Sequence, residues 1–389
     1  MHTNTLLRAA AALLSAVLLF SFSAITFADT LNTESSAPDI SAESCVLIDA
    51  QTAQIVYAKN ESQKRPMAST TKIMTTLLTL ESGDLNTAFT VDTDAIHVEG
   101  SSMGLQEGDT VTKRALCVGM LLPSGNDAAN AAAVAVAGSI PAFLDLMNAR
   151  AKAIGMTRSW FASPSGLDAE GHGASAYDMA LLAREALKNP DFAEICAQAE
   201  MTVSFGNPPY TRTLYNTNKL LSMSEDIIGI KTGFTDAAGR CLVSACTRDG
   251  RTLICVTLFD RNDWTDHLAL YDYGFSLASD YTLPLPEQIT AAVEGGDAAE
   301  LALYAKEPLT LSAWRGIPPE VTYTVLMPPF LTAPIRRGDP VGEIVCTAAN
   351  AELARLPLLA AKDIPAPDHN TDSEGLFASL IRRLKALFS

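Results

Sequence analysis

The chain has 389 residues, 48% of them hydrophobic, and a formal net charge of −16 at pH 7. That length exceeds what a single hydrophobic core usually serves, so two domains are expected, and the apolar fraction excludes a disordered chain. The acidic balance argues against a nucleic-acid partner, because phosphate binding needs a concentrated basic face. The seven cysteines, Cys45, Cys117, Cys196, Cys241, Cys246, Cys255 and Cys346, are odd in number and irregular in spacing. With no C-x-x-C pair and no cysteine–histidine ligand pattern, no metal site is read. The cysteines are expected to be small buried hydrophobes.

In chain order, Arg8, the apolar run Ala9 to Phe20 and the small residues around Thr26-Phe27-Ala28 make residues 1–28 a secretory signal cleaved after Ala28. The competing reading is an uncleaved anchor. Two short strands are predicted over 44–49 and 54–58, around a turn. A helix is predicted over 69–80, with Ile73, Leu77 and Leu80 on one stripe. Residues 112–187 are rich in alanine and leucine and read as mostly helical, punctuated near Pro123-Ser124-Gly125 and Ser163-Pro164-Ser165-Gly166. Three strands follow over 227–231, 241–247 and 251–259, the last two joined by an Asp249-Gly250 hairpin signal. Two strands, a helical block and three strands do not alternate as a parallel sheet requires. The expected class is therefore α+β, an antiparallel sheet flanked by helices with an inserted helical subdomain. That catalytic domain is placed at 40–277. A small all-β domain is read over 281–362 and a linker over 363–375. In 376–389, Phe377, Leu380, Ile381, Leu384 and Phe388 recur at helical spacing beside Arg382, Arg383 and Lys385. That pattern suits an amphipathic helix lying in a membrane interface.

Three short motifs carry the chemistry. In Ser69-Thr70-Thr71-Lys72 the hydroxyl and the amine are three residues apart, hence on one face of a helix. A serine is a weak nucleophile until a base takes its proton, and a lysine desolvated beside another cation can be that base. Ser124-Gly125-Asn126, in a break between helices, offers a hydroxyl and an amide. Lys231-Thr232-Gly233, at the end of an apolar strand, offers a cation, a hydroxyl and a close approach to the backbone. Each pattern alone is also that of a capped helix or a turn. Their occurrence together, once each and in this order, is not.

These residues resemble the S-x-x-K, S-x-N and K-T-G signature of penicillin-binding proteins and class A β-lactamases. The wider context is similar to the low-molecular-weight penicillin-binding proteins that are D-alanyl-D-alanine carboxypeptidases. It includes Pro66-Met67-Ala68 before the serine, Leu122-Pro123 and Asp127-Ala128 around the second motif, and Gly166-Leu167-Asp168 with His172. It also includes Gly229-Ile230 and Phe234-Thr235 around the third, Asp272-Tyr273-Gly274-Phe275, and Ala333-Pro334-Ile335-Arg336-Arg337-Gly338. The resemblance covers about residues 40–362 and implies a penicillin-binding/β-lactamase-like transpeptidase domain followed by a β domain.

It also implies that Ser69 attacks the carbonyl between the two terminal D-alanines of a peptidoglycan stem peptide while Lys72 takes its proton. Backbone N–H groups of Ser69 and Phe234 would form the oxyanion hole, and Ser124 would relay a proton to the leaving D-alanine. Asn126 would bind the peptide amide region, and Lys231 and Thr232, with Gly233, the terminal carboxylate. β-Lactams would be covalent inhibitors, no cofactor is needed, and the terminal helix would hold the exported enzyme on the outer face of the cytoplasmic membrane. Some members of the family carry an arginine where this chain has Thr217, and others one in the stretch Asp263-Trp264-Thr265-Asp266, with Arg261 two residues away. The second ligand of the carboxylate is therefore open. His172 and His267 are expected to be structural. The rival readings are a class A-like β-lactamase, with Glu170 activating water, and a non-catalytic wall-binding scaffold.

Overall fold

The computed structural model describes residues 18–20, 36–286, 288–349 and 351–366. Among them, one unit comprises 36–279 and 312–319, and the other comprises 18–20, 280–311 and 320–366.

In the first unit, β1 (Ser44–Asp49) and β2 (Ile55–Lys59) form a hairpin, and a 3₁₀ turn (Ala68–Thr71) leads into α1 (Lys72–Glu81). After the one-turn helix Thr93–Ile96 come five longer helices: α2 (Lys113–Leu121), α3 (Asn126–Ala137), α4 (Ile140–Ile154), α5 (Ala176–Ala186) and α6 (Pro190–Cys196). Their starts are written in the sequence. The side chains of Thr112, Ser139, Ser175 and Asn189 each accept a backbone N–H at the start of α2, α4, α5 and α6, as N-caps do. Next come β3 (Glu200–Gly206) and β4 (Pro209–Tyr215), then β5 (Ile227–Thr235), β6 (Gly239–Arg248), β7 (Arg251–Leu258) and α7 (Asp263–Ser276).

The main sheet has the order β2-β1-β7-β6-β5 and its pairings are antiparallel. The Asp249-Gly250 turn joins β6 to β7 as its composition predicts. β5 ends the strand order, which leaves one of its edges unpaired for the site described below. α1 illustrates how packing overrides propensity. Thr75, Thr76 and Thr79 are poor helix formers, costing about 0.5 kcal/mol each against alanine. Ile73, Met74 and Leu77 are fully buried, and each such side chain contributes about 1.5–3 kcal/mol, so burial decides the conformation.

The structure adds what the sequence reading does not contain. Ala88–Thr90, Thr110–Thr112, β3 and β4 form a second, four-stranded sheet. In β3 and β4 only Phe205, Gly206 and Leu214 are buried, although β3 does alternate, with Met201, Val203 and Phe205 set between Glu200, Thr202 and Ser204, a period-two signal that the sequence reading assigns to no strand. The helix predicted from Ser69 begins as an α-helix only at Lys72, and Ser69 lies in the 3₁₀ turn before it. All seven cysteines are buried and unpaired.

The second unit is built on β8 (Ile289–Glu294), β9 (Glu300–Ala305), β10 (Thr322–Leu326), β11 (Leu331–Thr332), β12 (Pro340–Ala348) and β13 (Ala351–Ala360), in the order β10-β12-β13-β9-β8-β11. Leu18–Phe20 pairs with the outer edge of β10. The core includes Leu301, Ile344, Cys346 and Leu358. Ile364 is also buried there and bridges Ile335. The β unit therefore runs past the point where Pro365 and Pro367 suggested that a linker begins at 363: one buried isoleucine outweighs the flanking prolines. The expected helix over 376–389, the linker beyond 366 and the expected signal, apart from residues 18–20, lie outside the described residues.

Candidate active site

Ser69 is half-buried at the 3₁₀ turn, while Lys72, one turn on, is fully buried. Residues three apart eclipse in a 3₁₀ turn, and Lys72 Nζ lies 2.8 Å from Ser69 Oγ. The other two partners of Nζ are Asn126 Oδ1 at 2.7 Å and the Ser165 carbonyl at 2.6 Å. Three acceptors thus meet the three protons of the ammonium. Burial, and then the positive charge of Lys231, push the Lys72 pKa well below the ordinary lysine value. The neutral amine has two protons and one lone pair. The carboxamide oxygen and the carbonyl accept only, so they take both protons and the lone pair faces the Ser69 hydroxyl. The surroundings thus both favour the neutral amine and aim its lone pair.

Asn126 opens α3 and is held at both ends. Its Nδ2 donates to the Glu99 carbonyl at 2.7 Å while Oδ1 receives Lys72. One amide proton and one lone pair remain for a substrate, so the expected substrate-binding residue also positions the base. The loop supplying Glu99 is pinned by Asp127, which is buried. Asp127 accepts the backbone N–H groups of Met103, Gly104 and Leu105 and the Ser102 hydroxyl. Ser124, also buried, has a φ of 66°, a conformation that costs a non-glycine residue of order 1–3 kcal/mol and marks functional loops.

The third motif lies on β5, with Lys231, Thr232, Gly233 and Phe234 registered against Val243, Leu242, Cys241 and Arg240 of β6. A Cβ on Gly233 would come within 3.1 Å of Met67 O, Ala68 Cβ and Ser69 N. Glycine here lets β5 press directly on the nucleophile turn, which brings the Ser69 N–H beside the strand that carries Phe234. Lys231 is buried, donates to the Thr232 carbonyl at 2.9 Å, and has its pKa lowered to about 7 by burial. Phe234 is exposed.

The loop before α5 completes the enclosure. Ala68 has a φ of 48°, and Gly166 packs so close that a Cβ there would sit 2.0 Å from the Ala68 carbonyl oxygen. His172 holds the same turn. Its Nδ1 accepts the Ala162 N–H at 3.0 Å, so Nε2 carries the proton and donates to Thr71 Oγ1 at 2.9 Å. Thr71 in turn donates to the Ala68 carbonyl at 2.8 Å. Burial, and then Lys64, hold His172 neutral, its pKa lowered to about 4. His267 is buried between Ser244 and Thr257, its pKa lowered by burial to about 3. Both histidines are structural, as expected. Glu170 is exposed, and none of the three acceptors of Lys72 is a carboxylate. That departs from the β-lactamase reading.

Sequence reasoning named Ser165, Gly166 and Asp127 only as punctuation or motif context and gave them no role. Ser165 acts through its carbonyl, which no residue type advertises. Asp127 had a signal, a carboxylate beside the motif asparagine in the first turn of α3. Thr217, flagged only as a departure, stands with its Oγ1 2.6 Å from Thr232 Oγ1.

Fold and site together fit the class of serine hydrolases: a serine hydroxyl lies within hydrogen-bond reach of a fully buried lysine amine. Residues 31–262 match the family model described as D-alanyl-D-alanine carboxypeptidase, and 287–366 match that of the penicillin-binding protein 5 C-terminal domain. D-alanyl-D-alanine carboxypeptidase DacF of Bacillus subtilis is 31% identical over 90% of this chain and 93% of its own length. DacC of Escherichia coli K12 is 33% identical over 93% and 92%. The solved DacD of Francisella tularensis, 26% identical, superposes with a TM-score of 0.62 over 88% of this chain and 98% of its own. The chain belongs to the D-alanyl-D-alanine carboxypeptidase family.

Proposed function

We propose that Ser69 is the nucleophile of a carboxypeptidase that removes the terminal D-alanine from peptidoglycan stem pentapeptides. The observation that carries this is the 2.8 Å contact between Ser69 and a lysine whose other two partners only accept. Lys72 takes the Ser69 proton as Oγ bonds to the carbonyl carbon between the two D-alanines. The oxyanion is received by the N–H groups of Ser69 and Phe234, preorganised where the charge develops. The C–N bond then breaks, the proton that Lys72 took is relayed by Ser124 to the departing amine, and water hydrolyses the acyl-enzyme, returning a proton to Ser69. The terminal carboxylate is received beside Lys231 and Thr232, at the end of β5.

β-Lactams acylate the same serine. The enzyme works outside the cytoplasmic membrane, held on its outer face by 376–389. Mass spectrometry of a pentapeptide incubated with the enzyme should show loss of one D-alanine, and Ser69→Ala should abolish both that loss and penicillin labelling. D-Alanine release that persists in Ser69→Ala would overturn the assignment. A slowly decaying penicilloyl adduct separates this reading from a β-lactamase, which would turn the adduct over quickly.

A further inference from the structure

The buried ammonium of Lys231 does not reach solvent, yet the proposed reaction asks it to recognise an anion. Its contacts show how that is done. Nζ lies 2.9 Å from the Thr232 carbonyl and 3.4 Å from Thr232 Oγ1. Thr232 Oγ1 lies 2.6 Å from Thr217 Oγ1. Only one proton can lie between two hydroxyl oxygens. Since Thr232 Oγ1 already faces the ammonium protons as an acceptor, its own proton points to Thr217, and the Thr217 proton is left to point away from the pair. The three groups thus form a chain of donors running one way, from a buried charge to an exposed hydroxyl. Hydrogen bonds aligned in this sense polarise one another, and the last donor is the strongest place for an anion to attach.

The position of Thr217 is built rather than incidental. Its N–H donates to the Leu122 carbonyl, next to the second motif. Asn216 Nδ2 donates to the carbonyls of Cys196 and Gln198, and Asn218 Oδ1 accepts the Leu220 N–H. The residue between these two anchored asparagines is fixed against both the second and the third motif. The nearest guanidinium along the strand pair, Arg240 opposite Phe234, is committed to both oxygens of Asp263 at 2.6 and 2.8 Å.

We infer that the Thr217 hydroxyl is the terminal donor to the substrate's C-terminal carboxylate, charged through Thr232 by Lys231, and so determines the preference for a free chain end. This rests on the carboxypeptidase reading above. The test compares diacetyl-Lys-D-Ala-D-Ala with the same peptide ending in an amide, in the wild type, Thr217→Val, Thr217→Ser and Arg240→Gln. The wild type should prefer the acid. Thr217→Val should lose about ten- to hundredfold in kcat/KM for the acid, the scale of a hydrogen bond to a charged group, and little for the amide. Thr217→Ser should restore the preference. A misfolded Thr217→Val would lose both substrates together, and in that case Thr217→Ser decides: a wild-type acid-to-amide ratio supports the inference and a reduced one overturns it. An unchanged ratio in a folded Thr217→Val, no preference in the wild type, or a ratio that collapses only in Arg240→Gln overturns the inference. Failure of the wild type to release D-alanine from the acid overturns instead the reading on which it rests.

Discussion

Lys72 and Lys231 are two fully buried amines close enough that one depresses the pKa of the other, and the proposed reaction needs them in opposite protonation states. Lys72 must be neutral to take a proton, so kcat/KM should rise with pH as it deprotonates. Lys231 must be charged to draw an anion, so kcat/KM should fall as it loses its proton, near pH 7 in the free enzyme. Such a bell reports the macroscopic behaviour of the pair. Lys231→Gln removes the cation that lowers Lys72, so the ascending limb should move to higher pH. A limb that stays in place, or moves lower, in the pH profile of that variant would contradict the coupling. The pairing of Ser69 with Lys72 was legible because spacing alone fixes it. The aim of the lysine was not, since it is set by the Ser165 carbonyl and by an asparagine more than fifty positions away.

Among the elements, the loop around Gly166 and the 3₁₀ turn at Ala68 are fitted to each other with no spare room. Gly166 has a φ of 89° and its absent Cβ would overlap the Ala68 carbonyl. Gly166→Ala should therefore displace the nucleophile turn and lower kcat/KM by about a hundredfold or more, the cost of misplacing a reacting group by ~1 Å. Penicillin labelling should slow in parallel, and near-wild-type rates in that variant would show that the loop yields instead.

A second tie joins the segment before β1 to the start of α7. Ser41 Oγ meets Asp260 Oδ1 at 2.6 Å and Asp266 Oδ2 at 2.9 Å. Burial, and then the negative charge of Asp266, raise the Asp260 pKa to about 6, against the hydrogen bonds from Ser41 and the Asn262 N–H that lower it. A raised carboxyl pKa means that the folded state holds a proton the unfolded chain gives up. Stability therefore falls as pH climbs from about 4 to 6, by roughly 3 kcal/mol at most. Asp260→Asn should raise Tm at pH 7 and change it little at pH 4. An equal change at both would sink the argument. The main sheet was legible through β-rich runs and a turn dipeptide. The four-stranded sheet was passed over: residues 200–205 do alternate apolar and polar, but two of its strands are three residues long and leave no pattern.

For the whole molecule, a net charge of −16 repels an anionic membrane surface, so the proposed tether has to act locally through Arg382, Arg383 and Lys385 beside their apolar stripe. Deleting 376–389 should release the protein into the soluble fraction, and binding of the full chain to anionic vesicles should weaken with salt. A deletion that stays membrane-bound rules the tether out. Two domains were legible from length and from the all-β reading of 281–362, but the sequence boundary is not where the packing boundary falls. Residues 312–319 belong to the catalytic unit. There Trp314 is buried with Tyr271, its ring 6.5 Å from that of Phe275, and Arg315 donates its N–H to the Leu277 carbonyl at 3.0 Å. The consequence is genetic. A recombination crossover anywhere between residues 279 and 312 would pass on a catalytic half without its tryptophan. Unless the incoming half brings an equivalent aromatic ring, its recipient would inherit an open hydrophobic seam around Tyr271 and Phe275.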